Sequence, residues 1–163
     1  MNHSRRLAAA AAASILLTSG ALASAPAYAQ TQAPPETALV VNARAAAHGS
    51  FDRFVIDVKG KIPPTTVKRV KELRYDGSGN KVPLPGKYFL EIKLSPAAAH
   101  NDAGQSVYKG PKLKKLNFPK LKGMAFTGDF EGVVTFGLAF KTKPYWTTFK
   151  LHHPERVVVD IAH

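Results

Sequence analysis

From Ala38 onward the apolar positions recur with a period of two. Phe54, Ile56 and Val58 alternate with Arg53, Val55 and Asp57, and Tyr88, Leu90, Ile92 and Leu94 alternate with Phe89, Glu91 and Lys93. Successive strand residues point to opposite faces, so each run predicts a half-buried strand. Val133 to Phe140 is almost continuously apolar and rich in β-branched and aromatic residues, which predicts a strand buried on both faces. Tyr145 to Leu151 and Arg156 to Ile161 complete the set. Turn residues separate these runs at Gly60 to Pro64, Asp76 to Asn80, Pro83 to Gly86, Lys143-Pro144 and His153-Pro154,. Helix signals are thin. Pro96 and Gly104 close in the stretch Ala97 to Asp102, and Ala43 to Ala47 favours helix by propensity alone. Ser95 to Pro111 is the longest predicted loop. Short strands with frequent turns predict an all-β sandwich or barrel.

The N-terminus breaks this pattern. Arg5 and Arg6 precede an apolar run from Leu7 to Leu17, and small residues follow to Ala27-Tyr28-Ala29. A basic end, a short apolar core and a small-x-small site predict a cleavable signal peptide over residues 1–29. The apolar core is shorter than the roughly 20 residues a membrane span needs. General secretion fits better than twin-arginine export, because the residues after the arginine pair are weak for the latter. Gln30 to Thr37, with Pro34-Pro35, reads as a flexible leader, and residues 38–163 form one domain. No transmembrane segment is expected in the mature chain.

Composition narrows the class of partner. The 163 residues hold 23 Lys and Arg against 11 Asp and Glu, a net charge of +12. Arg5 and Arg6 leave with the signal, so the mature part carries +10. Such charge usually points to nucleic acid, but an export signal points instead to wall polymers and other extracellular polyanions. With no cysteine, no lipid anchor is expected and no disulfide can form, so stability rests on the core alone. Lys109 to Lys122 carries six lysines among Leu113, Leu116, Phe118 and Leu121. That run fits a solvated edge strand guarded by lysine slightly better than a dedicated anion site.

One segment echoes another. Asp52-Arg53-Phe54-Val55-Ile56-Asp57-Val58 matches Glu155-Arg156-Val157-Val158-Val159-Asp160-Ile161. Arg and Asp four apart on one strand stand about 13 Å from each other and cannot pair. Antiparallel pairing sets Arg53 opposite Asp160, Val55 opposite Val158, and Asp57 opposite Arg156. Parallel pairing in matched register opposes like charges, which destabilises a sheet, whereas unlike pairs stabilise it by about 0.2–1 kcal/mol. The expectation is an antiparallel pair joining the start of the domain to its end.

Three stretches carry a family resemblance: Phe51 to Asp57, Asp129 to Gly137 (DFEGVVTFG), and Pro154 to Asp160 (PERVVVD). In order and spacing they resemble the AMIN-like domain of secreted actinobacterial proteins. The PERVVVD ending is also similar to AMIN domains proper, the targeting modules of cell-wall amidases and secretins. The resemblance implies an antiparallel β-sandwich of two small sheets, which the runs above fill with about eight short strands. It also implies no catalytic activity and attachment to the cell envelope through peptidoglycan. Many relatives carry a lipidated cysteine, and this chain has none.

The chemistry of the residues agrees with a binding module. There is no cysteine nucleophile, no Gly-x-Ser-x-Gly and no His-Glu-x-x-His,. His48 with Asp52, His100 with Asp102, and His152 with His153 are the suggestive pairs, and no metal or other cofactor is expected. Asp129 and Glu131 on one strand face would stand about 6–7 Å apart, near the carboxylate spacing of glycoside hydrolases. Turn chemistry at Gly128-Asp129 and Gly132 is the better reading. For ligand binding, Tyr145 and Trp146 offer aromatic faces to sugar rings, with Phe149 expected in the core and Trp146 outward. Lys114, Lys115, Lys120 and Lys122 offer charge to an anionic polymer, in contacts that weaken with salt. The expected role is a secreted module that binds peptidoglycan or an associated anionic polymer. A module recruiting a cell-wall enzyme by strand addition and a small hydrolase using Asp129 and Glu131 are the alternatives.

Overall fold

A computed structural model describes residues 37–163. The predicted signal peptide, 1–29, and all but the last residue of the leader lie outside the described residues. Ten strands form two five-stranded sheets. The first sheet has the order β5 (Ala97–Ala98), β1 (Ala38–Ala47), β2 (Phe51–Lys59), β10 (Arg156–Ala162), β9 (Trp146–Leu151). The second has the order β3 (Thr65–Val70), β4 (Tyr88–Leu94), β8 (Val133–Phe140), β7 (Leu121–Phe130), β6 (Leu113–Lys115). Every pairing is antiparallel except the short contact of β1 with β5. The expected all-β sandwich is therefore present, with ten strands against about eight expected. β6 falls inside the lysine run expected as an edge strand and lies at a sheet edge, whereas β5 falls inside the predicted loop Ser95 to Pro111.

The alternating runs fill the space between the sheets. Phe54, Ile56 and Val58 meet Leu90, Ile92 and Leu94, joined by Phe136, Leu138, Phe140, Val157, Val159 and Ile161. Phe136 sits at the centre of the aromatic contacts, with ring centroids 5.7 Å from Phe54, 5.4 Å from Phe126 and 5.9 Å from Tyr108. Burial pushes the Tyr108 hydroxyl above its ordinary pKa, while the hydroxyl donates to Pro111 O at 3.1 Å. A folded-state pKa raised this way leaves stability untouched until pH passes about 10, where only the unfolded state ionises. Stability should thus fall above about pH 10. In Tyr108→Phe that alkaline loss should shrink, against about 0.5–1.5 kcal/mol lost at neutral pH with the hydrogen bond. Urea titrations at pH 7 and at alkaline pH check both signs.

Two features depart from the simple alternation. A bulge between Val40 and Asn42 in β1 adds one residue and changes which face the next residues occupy. Val40 and Ala43 both point into the core, and Asn42 and Arg44 turn outward. Ala43 to Ala47 therefore continues the strand, although its propensity favours helix. The second feature is a strap, residues 71–86, laid over the outer face of the second sheet. Its Leu73, Val82 and Leu84 form a second buried cluster with Phe89, Ala125 and Ala139. The strap closes on itself where Val82 N donates to Leu73 O, 2.9 Å, and is tied to β7 where Asp76 N donates to Thr127 O, 3.0 Å. It explains why β8 is buried on both faces, as its continuous apolar run predicts.

Candidate functional site

The strap leaves the two outer faces unequal. The second sheet is covered, whereas the first presents its outer face to solvent. On that face β2 and β10 pair with Arg53 opposite Asp160, Val55 opposite Val158, and Asp57 opposite Arg156. Arg53 donates twice to Asp160, from Nε and Nη2, both at 2.7 Å. This hydrogen bond holds the guanidinium above its ordinary pKa, against desolvation. Arg53 also lies 4.9 Å from the Phe51 ring and 5.5 Å from the Phe149 ring. Its fork is thus fixed between two aromatic faces, a geometry that planar guanidinium favours.

Asp57 differs from the expected pairing. It stands opposite Arg156 in register but accepts from Arg44 and from Asn42, the latter at 3.0 Å. β2 has a neighbour on each side, and the β1 bulge brings Asn42 and Arg44 to the same carboxylate. Arg156 is left with a single backbone acceptor, Pro154 O at 3.2 Å, and no carboxylate partner among the described residues. Val55 and Val158 fill the middle of this face, flanked across the sheet by Arg44 and Phe149.

Two shallow recesses flank Arg53. One, of about 380 Å³, is lined by Ser50, Phe51, Tyr145, Trp146, Thr147 and Asp160. The other, of about 230 Å³, is lined by Arg44, His48, Arg53, Leu151 and Arg156 among others. The first offers aromatic surface with hydroxyls and a carboxylate, and the second offers three guanidinium groups. Tyr145 is 68% exposed at the rim.

The aromatic assignment on β9 is the reverse of expectation. Trp146 packs against the central core, and Arg69 covers its ring at 5.1 Å. Phe149 lies on the outer face beside Arg53. Alternation divides these residues between faces correctly, but β9 is an edge strand whose inner and outer positions are both mixed in polarity. The choice of face is made by Ile161, which stands opposite Trp146 in register and belongs to the core.

The four lysines do not gather at this face. Lys114 and Lys115 lie on β6, the exposed edge of the second sheet. Lys122 Nζ donates to Phe118 O. Lys120 is elsewhere, and its backbone N donates to Asp52 Oδ2 at 2.8 Å.

Asp52 is a group the sequence did not single out in this role. It is fully buried and takes Lys120 N and Leu121 N, both 2.8 Å from Oδ2, with His163 Nε2 3.0 Å from Oδ1. His48 stacks on Phe51 instead, with ring centroids 4.6 Å apart. His100 Nδ1 lies 2.7 Å from Asp129 Oδ2, and Ala99 N donates to Oδ1 at 3.0 Å. His152 lies 2.7 Å from Glu155. Glu131 and Gly132 have φ of 49° and 72°, the two positive values of a tight hairpin turn between β7 and β8. Glu131 is therefore in the turn and Asp129 is on β7, bound to the His100 loop, so the two do not form a shared acid–base face. Among the described residues no group of three or more His, Asp or Glu could hold a metal ion, and no helix is long and apolar enough to cross a membrane.

The family model for the AMIN-like domain matches residues 38–163. No curated protein matches the chain, nor does any solved structure.

Proposed function

Because the chain belongs to the AMIN-like domain family, whose members are cell-wall-related targeting or binding modules of extracytoplasmic proteins, we propose that it is a secreted, non-catalytic module that binds peptidoglycan. The outer face of the first sheet is the binding surface. One observation carries this reading: Arg53 is clamped between Phe51 and Phe149 on the uncovered sheet, beside a recess with Tyr145 at its rim. Sugar rings stack on aromatic faces, and their hydroxyls find partners in Ser50, Thr147 and the Asp160 carboxylate. In the arginine recess Arg156, which has no carboxylate partner among the described residues, suits the acidic groups of the same polymer, because guanidinium matches carboxylate and phosphate oxygens in pairs,.

The test is co-sedimentation of residues 30–163 with purified sacculi stripped of anionic polymers. Binding should persist near physiological salt and fall about tenfold in Tyr145→Ala, the loss of roughly 1.4 kcal/mol of contact. Because Tyr145 is exposed, folding stability should change by less than about 0.5 kcal/mol. Undiminished retention of the variant would remove Tyr145 from the site. No binding of the wild type would favour the alternative, recruitment of a cell-wall enzyme through β9. That strand is a sheet edge with Thr147, Thr148 and Lys150 exposed, and such an edge can accept an added strand.

A further inference from the structure

A different surface gathers charge that the sequence scatters. The chain crosses from the second sheet to the first through Lys141-Thr142-Lys143-Pro144, which spans one end of the sandwich between β8 and β9. Three other segments are bonded to this crossover or to the residue that precedes it. Lys87 N donates to Phe140 O at 2.8 Å. Lys120 Nζ donates to Thr142 Oγ1 at 3.3 Å. Arg69 Nη2 donates to Pro144 O at 3.1 Å while its guanidinium covers Trp146. Arg69, Lys71 and Lys87 also line a recess of about 410 Å³ with Tyr88, itself 41% exposed. Arg69, Lys71, Lys87, Lys120, Lys141 and Lys143 thus meet at one end of the molecule.

None of these six cations has a carboxylate partner among the described residues. The ion pairs are made by other cations, at Arg44–Asp57, Arg53–Asp160, Lys68–Glu91, Lys93–Glu91, and Glu72 with Arg74 and Lys81. Asp52 lies beneath Lys120, but it is fully buried and already takes three donors. Six like charges at one end repel one another and cost stability. An external anion lying among them would relieve that repulsion. Five of these six groups are lysines. Lysine binds phosphate as a mobile point charge, without the fixed planar fork that the paired arginines of this chain turn to carboxylates within the fold.

We propose that the crossover end is a second binding site, taking an extended phosphodiester polymer of the cell wall. It rests on the cell-wall reading for the source of the polymer, and not for the site itself. The module would then hold a glycan on its first sheet and a phosphate-bearing chain at its end.

The probe is a synthetic poly(glycerol phosphate) of defined length, titrated into residues 30–163 over a salt series. Two triple variants with the same change in net charge are compared. One is Lys87→Glu, Lys141→Glu, Lys143→Glu at the crossover end. The other is Lys112→Glu, Lys114→Glu, Lys115→Glu on and before β6. The first should lower affinity at least tenfold and flatten the dependence of log K on log salt by about two to three, as expected for lost phosphate contacts. The second should change affinity less than about threefold, in keeping with a remote screened effect. Equal losses in both would overturn the proposal, because net charge alone would account for binding. So would tighter binding of polygalacturonate at matched charge, which would assign the site to carboxylates. Tighter binding of phosphatidylglycerol vesicles would move it to a membrane and overturn it as well. Binding of stripped sacculi by the crossover variant, and of poly(glycerol phosphate) by Tyr145→Ala, should both be unchanged, so each site can fail without the other.

Discussion

Asp52→Ala is expected to lower stability by about 3–5 kcal/mol, the cost of removing one partner from a buried charged cluster. The reason lies in what the carboxylate joins. Asp52 is the second residue of β2 in the first sheet, Lys120 and Leu121 stand at the start of β7 in the second, and His163 follows β10. One oxygen accepts both backbone N–H groups at 2.8 Å, and the other faces His163. Alanine would leave those two N–H groups without an acceptor in a place closed to water. An orphaned buried donor costs about 1–3 kcal/mol. Asp52→Asn keeps an oxygen for the two N–H groups and an amide for His163, so it should lose less than half as much. Chemical denaturation of the three proteins checks the order, with a fall in Tm of more than about 10 °C for the alanine variant. A loss of under about 1 kcal/mol would mean the sheets are held at this end by packing alone.

Much of this arrangement is legible in the sequence, for a definable reason. The alternating and continuous runs report burial, which is a property of one strand, and they locate β2, β4, β8, β9 and β10 to within a residue or so. The echo between Asp52–Val58 and Glu155–Ile161 goes further, since opposed charges choose a pairing. Arg53 and Asp160 meet in that register. Asp57 shows where such reasoning stops. A central strand has two neighbours, and the echo speaks only of one. The other neighbour carries Asn42 and Arg44, aimed at Asp57 by a bulge that no residue type announces.

The site was only partly legible for the same reason. Tyr145 stands at the rim of the aromatic recess and Arg53 beside it, yet Trp146 and Phe149 exchange the roles that alternation suggested. Period two separates faces without naming which is inner. The lysine run from Lys109 to Lys122 is legible because it is contiguous. The structure divides it, leaving Lys114 and Lys115 on an edge and sending Lys120 to the crossover end. The cations that meet there come from β3, the strap, the residue before β4, the turn before β7, and the crossover. Only the closing of the sandwich brings them together, so no window along the chain contains the cluster.

The strap was the least legible element, and it decides which face is free. Residues 71–86 are dominated by charge, glycine and proline, and their Leu73, Val82 and Leu84 follow neither period. Their seats are written on other strands, in residues that are absent rather than present. A Cβ at Gly137 of β8 would stand 2.6 Å from Leu73 Cδ1, and one at Gly123 of β7 would stand 2.6 Å from Leu84 Cδ2. Gly128 likewise leaves no room for a Cβ against the Asp76 carboxylate. Gly137→Val should therefore lift the strap. The expected cost is about 2–4 kcal/mol, combining overpacking, about 1–3 kcal/mol, with loss of part of the roughly 1.5–3 kcal/mol of burying Leu73. Limited proteolysis should show new cleavage between Lys71 and Lys87, while Asp52 and its partners keep their hydrogen-exchange protection. Gly137→Val, Leu73→Ala should regain part of the loss, because shortening Leu73 makes room for the added side chain. Binding to stripped sacculi should survive in Gly137→Val at temperatures where it is folded, since the first sheet faces the other way. Loss of that binding with the fold intact would show that the covered sheet, and not the open one, meets the wall.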